Sequence, residues 1–401
     1  MTEPDPPHDR IDPPASLSEG APAAVLAALP GARVVGGAVR DLLAGRPVHD
    51  VDVAVALPPE EAAGRLREAG IKVFETGLAH GTVTAVLEHQ PVEVTSLRRD
   101  LVTDGRHAQV AWSTDWREDA ARRDFTFNAM SMDAGGHLWD YFGGRADLAA
   151  GRVRFVGDPA TRMAEDYLRL LRFFRFHARY GTGAPDPVAL AAIREAVPGL
   201  ARLSAERVWM ELKRLLEAPD PGGALTLMRE AGVLPAILPE AGGEGTALAR
   251  LLANPQAPVE PLPRLAALLA PGTDTEALAR RLRFSSAEAE RLRHLADPAL
   301  HPAADLEGAA LRRWLAAMPP ALPPDLAWVA EASDGMDRTA LRARIGATPR
   351  PVFPLQGRDA LAAGIPPGPG VGQALARVRQ WWLEGGCEAD AEACRKMLKR
   401  G

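Results

Sequence analysis

Hydrophobic and polar residues alternate with a period of two in short stretches of the N-terminal part of the chain. Successive side chains of a strand point to opposite faces of its sheet, so this period predicts half-buried strands. The predicted strands are ARVVGG, HDVDVAVAL, IKVFET, GTVTAVLE, QPVEVTSL and FTFNAMSMDAGGHLWD. Two helices are predicted between them, AVRDLLAG and PPEEAAGRLREAG, and the second has proline and acidic residues at its start and glycine at its end.

From about residue 157 the apolar period becomes that of an α-helix. AEDYLRLLRFFRFHARYG predicts one long helix that ends at glycine, and SAERVWMELKRLLEA predicts another with Ser204 as its N-cap. The remainder alternates segments rich in alanine, leucine and arginine with proline and glycine breaks. The predicted fold class is therefore α+β, with an all-helical region after the sheet.

The composition is that of a globular protein with more than one domain. The chain has 401 residues, of which 47% are hydrophobic and 25% are charged, and its formal net charge is −5. This charge argues against a protein that is basic all over, although local basic surface remains compatible with it. The sequence has no apolar run long enough to span a membrane and no signal-peptide pattern, and its two cysteines are too few for a disulfide framework. We therefore expect a cytoplasmic protein.

Two carboxylates interrupt one of the predicted strands. In HDVDVAVAL, Asp50 and Asp52 share a face with Ala54 and Ala56, while the other face is apolar. Two carboxylates this close repel each other unless a cation lies between them, and oxygen ligands favour Mg²⁺. Glu93 similarly interrupts QPVEVTSL, and it would join them if the two strands were neighbours. The alternatives are a polar strand start for the aspartates and a salt-bridged edge residue for Glu93.

A glycine pair precedes the first predicted helix. VVGGAVRD has neither the spacing of a Walker loop nor that of a dinucleotide fingerprint. Gly36 and Gly37 would let the backbone approach a ligand at the helix start, where free amides favour a phosphate, and Arg40 follows within the first turn. A plain strand-to-helix turn with Arg40 in solvent is the alternative.

Four motifs occur in a fixed order: GGAVRD, an Asp-x-Asp, ARRDFTFNAM and EDYLRLLRFFRF. In this order they resemble the class II tRNA nucleotidyltransferase and bacterial poly(A) polymerase family, which belongs to the polymerase β-like nucleotidyltransferase superfamily. The resemblance is dense over residues 33 to about 216 and resumes weakly near the end, at PLQGRDALAAGIPPGPGVGQALARVRQWWLEGG.

The resemblance implies a division into domains. A polymerase β-like nucleotidyltransferase head, with a mixed sheet and flanking helices, would occupy residues 21–150. Helical neck, body and tail regions would follow at 151–220, 221–310 and 311–401. The neck would recognise the nucleotide base and bind RNA, and the tail would bind tRNA. Residues 1–20, which are rich in proline and aspartate, are expected to be a disordered lead-in.

The same resemblance implies roles in the head. Asp50 and Asp52 would hold two Mg²⁺ ions, which activate the primer 3′-hydroxyl and neutralise the triphosphate, and Glu93 would be a third catalytic carboxylate. The glycine turn with Arg40 would bind the triphosphate. The arginine at position 123 would contact the nucleotide, and the aspartate at position 124 would accept a hydrogen bond from the ribose 2′-hydroxyl.

The EDYLR motif carries the implied base recognition. Asp166 and Arg169 are three residues apart, which makes them neighbours on the surface of a helix. Arginine only donates and an ionised aspartate only accepts, so together they would imitate a Watson–Crick edge for cytosine or adenine and reject guanine and uracil. An ordinary ion pair between them is the alternative.

Further charged residues follow on the same pattern. Arg172 and Arg175 continue the arginine series, and the three-residue step should turn Arg175 well away from Asp166, towards phosphate, RNA or the head. Arg207 and Glu211, which are four apart in the next helix, are expected to pair with each other. The stretch between Arg98 and Asp119 reads only as a long polar connection, although the family has a flexible loop there that takes part in the switch from C to A addition.

The predicted function is addition of C, C and A to the 3′ end of tRNA from CTP and ATP, without a nucleic-acid template. The partners would be the acceptor/TΨC region of tRNA, ATP and CTP, with neither a membrane nor DNA. Poly(A) polymerase activity and partial, A-only or CC-only addition share these motifs and stay open. A catalytically silent RNA-binding protein on this fold is disfavoured by the intact Asp50/Asp52 pair.

Overall fold

The computed structural model describes residues 5–48, 50–78, 81–103, 108–242 and 245–400. The chain forms two compact units, residues 1–237 and residues 238–401. The first unit contains every described strand and the second is helical. The predicted α+β fold class is confirmed, and the sheet lies in the N-terminal unit as expected.

Eight of the described strands form one mixed sheet in the order β1-β10-β9-β2-β3-β6-β5-β4, and the other two form a separate hairpin, β7-β8. The strands are β1 (Asp9–Arg10), β2 (Arg33–Val35), β3 (Asp52–Val55), β4 (Lys72–Gly77), β5 (Thr82–Leu87), β6 (Gln90–Ser96), β7 (Arg98–Thr103), β8 (Ala108–Trp112), β9 (Ser131–Met132) and β10 (His137–Trp139).

Strand β3 lies in the middle of the sheet. It pairs with β2 in antiparallel and with β6 in parallel orientation, and this register sets Asp52 beside Glu93. Val53, Ala54 and Val55 are all buried, so both faces of the strand are covered beyond its first residue. The two predicted acidic strands are therefore neighbours, and Asp52 stands at the point where β3 emerges from the core.

The helices of the N-terminal unit cover the sheet and extend beyond it. They are α1 (Ala15–Ser18), α2 (Gly20–Ala28), α3 (Gly37–Leu43), α4 (Pro59–Glu68), α5 (Trp116–Ala121), α6 (Gly144–Ala149), α7 (Pro159–Glu165), α8 (Leu168–Tyr180), α9 (Pro187–Ala196), α10 (Ala205–Leu216), α11 (Gly222–Glu230) and α12 (Val233–Ile237). Helices α3 and α4 confirm the two helices predicted between strands. Helix α10 begins after Ser204 as predicted, but the Ser204 side chain makes no capping hydrogen bond.

The expectation of a disordered lead-in over residues 1–20 is wrong for the residues that the structure describes. The His8 amide donates to the Leu138 carbonyl at 2.8 Å and the Ile11 amide donates to the Gly136 carbonyl at 2.9 Å, so β1 adds an edge strand to β10. Gly136 has φ +79°, and a Cβ there would lie 1.9 Å from the Ile11 carbonyl oxygen. A two-residue strand is too short to show alternation, and its order comes from its partner strand.

The segment FTFNAMSMDAGGHLWD is not one strand, contrary to the prediction. It forms a 3₁₀ turn at Thr126–Asn128 and then the hairpin of β9 and β10. The polar connection after Arg98 is also more regular than expected, because β7 and β8 pair as a hairpin and α5 follows, capped by Asp115. Residues 104–107 of that connection lie outside the described residues.

Buried aromatic rings join α8 to the strands and turns of the head. Phe125 packs against Phe155 with ring centroids 4.7 Å apart and meets Phe176 edge-on at 5.2 Å. Phe173 lies parallel to Phe155 at 6.0 Å. Full burial of a side chain of this size contributes about 2 kcal/mol, so the cluster fixes α8 firmly against the RRDFTFNAM segment.

The C-terminal unit is built from helices that pack around small apolar clusters. Its helices are α13 (Thr246–Leu252), α14 (Pro261–Leu268), α15 (Thr275–Leu282), α16 (Ser286–Leu295), α17 (Gly308–Ala317), α18 (Leu322–Asp334), α19 (Thr339–Ala347), α20 (Gly357–Ala362), α21 (Pro369–Glu384) and α22 (Ala391–Lys399). Val378 and Trp382 of α21 pack with Leu398 of α22 in one cluster. The neck, body and tail boundaries at residues 220 and 310 remain predictions.

Candidate active site

A cavity of about 440 Å³ in the N-terminal unit collects most of the predicted site residues. Apart from Asn128 and Phe176, every residue that lines it belongs to the predicted set. The lining residues are Gly36, Gly37, Arg40, Asp52, Arg123, Asp124, Asn128, Asp166, Arg169, Arg172, Arg175 and Phe176. Two predicted residues do not line the cavity. Glu93 is the neighbour of Asp52 on the parallel strand β6, and Asp50 lies two residues before Asp52.

The electrostatic surroundings of Asp52 shift the pKa of its carboxyl group. Partial burial raises its pKa, and the negative charges of Glu93 and Asp50 raise it further, whereas Arg123 opposes the shift. Asp50, Asp52 and Glu93 all keep exposed surface. The ionised form of Asp52 is therefore disfavoured as the site stands, which is the situation that a bound cation would relieve.

The donor set fits a hard divalent ion. The residues on hand are carboxylates, which suit Mg²⁺, and burial together with the neighbouring carboxylates raises the pKa of Asp52. Within the described ranges, however, no group of three or more His, Cys, Asp or Glu side chains is gathered closely enough to hold a metal by itself. The residues that would hold the ion are therefore Asp50 and Asp52, with Glu93 beside Asp52.

The glycine turn is shaped by its neighbours. Gly36 has φ +68°, and a Cβ there would lie 3.1 Å from Nη1 of Arg123, so the turn requires glycine. Arg40 follows in α3, where its guanidinium bonds to Asp41 and donates to Oδ1 of Asn128 at 2.7 Å. It also lies 5.2 Å above the ring of Phe176. Arg40 is thus a held cation at the cavity wall and is not a side chain on a solvated face.

Arg123 is anchored from behind by a buried acid. Asp119 in α5 forms ion pairs with Arg122 at 2.7 Å and with Arg123 at 3.1 Å. Burial alone would raise the pKa of Asp119, but the two guanidiniums outweigh that effect and hold the pKa below its usual range. The charged pair fixes the position of Arg123 at the cavity.

Asp124 is hydrogen-bonded at one oxygen and ion-paired at the other. Its Oδ1 accepts from the Phe125 amide at 2.9 Å and from Nδ2 of Asn128 at 3.1 Å. Its Oδ2 lies 2.6 Å from Nη2 of Arg172, an ion-pair distance, yet that buried oxygen has no aligned hydrogen-bond donor in the described structure. A carboxylate oriented in this way offers a defined acceptor to a hydroxyl group in the cavity.

The base-recognition pair has a different geometry from the predicted one. The predicted long helix breaks at Asp166, which has extended backbone angles, φ −155° and ψ 108°, between α7 and α8. Its Oδ1 accepts from the Leu168 amide at 3.0 Å and its Oδ2 accepts from Arg207 at 2.6 Å, while Arg169 pairs with Glu165. Asp166 and Arg169 both line the cavity but are not a helical i,i+3 ion pair.

Two further expectations need correction. Arg175 does not face away from Asp166, because both line the same cavity, and the break at Asp166 removes the helical spacing on which that argument rested. Arg207 and Glu211 do not pair with each other. Arg207 contacts Asp166, and Glu211 accepts from Nε of Arg175 at 2.7 Å. Burial lowers the pKa of Arg175, partly offset by Glu211.

Sequence reasoning missed Asn128, Asp119 and the contact of Arg207. Asn128 lies inside RRDFTFNAM, four residues after Asp124, and bridges Asp124 to Arg40. Its place within that motif was the available signal. Asp119 lies four residues before Arg123, a spacing that suits a helical ion pair, whereas the Arg207 contact joins residues 41 apart and has no local signal.

Comparison with protein families matches two parts of the chain. Residues 32–154 match the family described as "Poly A polymerase head domain", and residues 184–242 match "Probable RNA and SrmB- binding site of polymerase A". The first range contains β3, β6 and the glycine turn, and the second contains α10.

One relative that is matched over most of its length decides the family. The CCA tRNA nucleotidyltransferase 1, mitochondrial, of Mus musculus is 35% identical over 378 residues, which cover 92% of this chain and 86% of the mouse protein. The chain belongs to the CCA tRNA nucleotidyltransferase family. The Danio rerio protein of the same name is 44% identical over 261 residues, 64% of this chain, and that match spans only 60% of the zebrafish protein.

A solved structure of the family agrees with the fold. The structure described as Bacillus stearothermophilus CCA-adding enzyme in complex with CTP is 29% identical, with a TM-score of 0.77, and the match covers 97% of this chain and 98% of that chain. The predicted nucleotidyltransferase family is thus confirmed. Among the described residues, no helix is long and apolar enough to cross a bilayer.

Proposed function

We propose that this chain adds C, C and A in turn to the 3′ end of tRNA, using CTP and ATP without a nucleic-acid template and releasing pyrophosphate. The observation that supports it is the cavity in which the carboxylate Asp52, the arginines and the Asp166 carboxylate converge. A site for nucleotidyl transfer needs a place for metal, triphosphate, ribose and base within one nucleotide's length, and the cavity offers a group for each.

Asp50 and Asp52 would hold Mg²⁺, with Glu93 beside Asp52. Two such ions, when bound, would activate the primer 3′-hydroxyl and neutralise the triphosphate during in-line transfer. The protein's own contribution is to place Asp52 at the end of a buried strand, so that its carboxylate keeps one position relative to the cavity.

The phosphate and sugar positions follow from the held arginines. Arg123 lies beside Gly36 and Arg40 beside Gly37, so both would bind a triphosphate that approaches the glycine backbone. Asp124 Oδ2 would accept a hydrogen bond from the ribose 2′-hydroxyl, which would favour ribonucleotides. Two further arginines, Arg172 and Arg175, complete the positive wall.

Asp166 and Arg169 would read the base. Asp166 would accept from the exocyclic amino group of cytosine or adenine, and Arg169 would donate to O2 and N3 of cytosine or to N1 of adenine. Guanine and uracil would place donors against donors and acceptors against acceptors, which partly buried charged groups disfavour. Substitution of Asp166 by alanine should therefore raise the use of UTP and GTP relative to CTP and ATP, as measured by nucleotide incorporation into tRNA.

The RNA partner is proposed to be tRNA, gripped at its acceptor/TΨC region by shape and phosphate contacts of the helical regions. The match of residues 184–242 to a probable RNA-binding family supports an RNA contact next to the cavity. No DNA or membrane partner is proposed. The compartment is proposed to be the cytoplasm, although the mouse and zebrafish relatives carry mitochondrial names.

One incubation series tests the function. The purified protein is given Mg²⁺ and labelled CTP or ATP with tRNA lacking CCA, tRNA ending in CC, or a generic oligoribonucleotide. We expect CTP to be used on the first tRNA, ATP on the second, and neither on the oligonucleotide. Long A tails on the generic RNA would instead indicate poly(A) polymerase, and use of only one nucleotide would indicate partial addition.

A further inference from the structure

Helix α10 braces the base-reading side of the cavity from behind. Two of its residues, one turn apart, each hold a cavity residue: Arg207 Nη2 donates to Asp166 Oδ2 at 2.6 Å, and Glu211 Oε2 accepts from Arg175 Nε at 2.7 Å. The helix packs along α8, and its apolar residues, such as Leu212, are buried. The charges therefore sit on a rigid element whose position the apolar core determines.

Asp166 needs a contact of this kind because it lies outside the regular helices. It occupies the extended break between α7 and α8, where the Leu168 amide contacts only Oδ1. A single contact to one oxygen leaves the carboxylate plane free to rotate about the side chain. The second, charge-assisted contact from Arg207 to the other oxygen fixes that plane.

We propose that Arg207 is a positioning residue that sets nucleotide specificity by fixing the orientation of the Asp166 carboxylate. The proposal rests on the proposed role of Asp166 in reading the base. Each carboxylate oxygen has more than one acceptor direction, so Asp166 can accept from a base while Arg207 stays bound. Without Arg207 the carboxylate would turn to suit the donor pattern of a wrong base.

The two ion pairs of α10 should act differently. Arg175 and Glu211 are the more buried pair, with side-chain exposures of 14% and 6%, against 30% and 24% for Arg207 and Asp166. The Glu211 contact is therefore the more buried of the two, whereas the Arg207 contact is the one that holds the base-reading carboxylate of Asp166.

The test compares nucleotide selectivity in three variants. Arg207→Gln removes the charged fork, Arg207→Lys keeps the charge without the fork, and Arg67→Gln removes a charge from an exposed position of α4. The kcat/KM for CTP, UTP, ATP and GTP is measured on tRNA lacking CCA and on tRNA ending in CC. We expect the UTP-to-CTP ratio to rise about tenfold in Arg207→Gln, severalfold in Arg207→Lys and not at all in Arg67→Gln.

A double-variant cycle separates positioning from a structural role. In an Asp166→Ala background the Arg207→Gln change should leave the ratio unaltered, because the side chain it positions is gone. An equal loss of kcat for all four nucleotides, with an unchanged ratio, would overturn the proposal. If Arg207→Gln does not fold, Arg207→Lys provides the same test once its Tm matches that of the wild type. Failure of the proposed function would appear separately, as a wild type that does not use CTP.

Discussion

The two ends of α8 border two cavities of similar size but opposite chemistry. The candidate site, about 440 Å³, lies around the start of the helix. The second cavity, about 500 Å³, lies around its end and is termed the distal pocket. Its lining residues are Leu43, Ala44, Arg46, Arg145, Leu148, Ala149, Arg179, Tyr180, Gly181 and Thr182.

Both cavities contain arginines that are held by local contacts, but only the candidate site is also lined by carboxylates. Helices α3, α6 and α8 all end there, and free carbonyls at helix ends attract cations. Arg46 Nη2 donates to the Arg179 carbonyl at 2.5 Å and lies 4.6 Å above the Tyr180 ring, and Arg145 pairs with Asp9. None of the described residues that line this pocket is acidic. In the candidate site, by contrast, arginines and carboxylates face each other across the space.

The comparison teaches that size does not mark a site. The larger cavity is explained by helix ends and their counter-charges. The smaller one contains a carboxylate, Asp52, whose pKa is raised, and a buried oxygen, Asp124 Oδ2, with no aligned donor among the described residues. A raised pKa and a buried oxygen without an aligned donor indicate a place where a bound ligand supplies the missing interactions.

The largest effect is expected when the charge of Asp52, which distinguishes the candidate site, is removed. Asp52→Asn should lower kcat about a thousandfold, because metal contributes several kcal/mol to such transfers. In the absence of Mg²⁺ it should also raise the Tm. The raised pKa of Asp52 means that ionisation costs stability, and this cost grows as pH rises through that pKa. Normal turnover in Asp52→Asn, or a lower Tm of this variant without metal, would contradict the proposed difference between the two cavities.

A smaller effect is expected at the anchor of Arg123. Asp119→Asn leaves Arg122 and Arg123 without their buried partner and should lower the free energy of unfolding by about 3 kcal/mol at neutral pH. Because the pKa of Asp119 is lowered in the folded state, its ionisation stabilises the protein above about pH 4 and loses this effect as pH falls further. Urea unfolding should thus show the gap between wild type and variant narrowing in acid.

The matched control for this change is Glu118→Gln, at the exposed neighbouring position. It should alter the free energy of unfolding by less than about 0.5 kcal/mol. The KM for CTP should rise in Asp119→Asn and stay constant in Glu118→Gln. Equal behaviour of the two variants would mean that the Asp119 pair does not hold Arg123 in place.

The smallest effect is expected in the distal pocket. Arg46→Gln removes a cation near helix C-termini, which contributes about 0.5 kcal/mol to the free energy of unfolding. The kcat/KM for CTP and ATP should not change, since no ligand is expected there. A clear loss of tRNA or nucleotide affinity, measured by filter binding, would show that the two cavities are not as different as their chemistry indicates.

Much of the candidate site could be predicted because its chemistry is local in sequence. The alternation around Asp52 predicted a strand, and the apolar run of β6 placed Glu93 beside Asp52 once the strands were neighbours. Asp50 lies before β3, so the face that it would share with Asp52 stays a prediction. The RRDFTFNAM and EDYLR motifs each supply several cavity residues within a few positions of one another.

The features that could not be predicted depend on long-range contacts, or on interruptions of a helix that the hydrophobic period does not show. The residues around Asp166 keep a helical apolar pattern, so the interruption of the helix there is invisible in the sequence. The partners of Arg207 and Glu211 lie outside α10, and the local i,i+4 spacing suggested the wrong pair. Strand β1 is ordered by β10, more than a hundred residues away.

Strand β1 has a consequence for the handling of this protein. With β1 in place, the backbone of β10 is paired on both sides, by β1 and by β9, and the sheet ends at a two-residue strand flanked by prolines. A short edge of this kind is a poor template for another chain. An N-terminal truncation past Ile11 would expose β10 as a new edge beside the buried Leu138, and would invite strand-to-strand aggregation during expression.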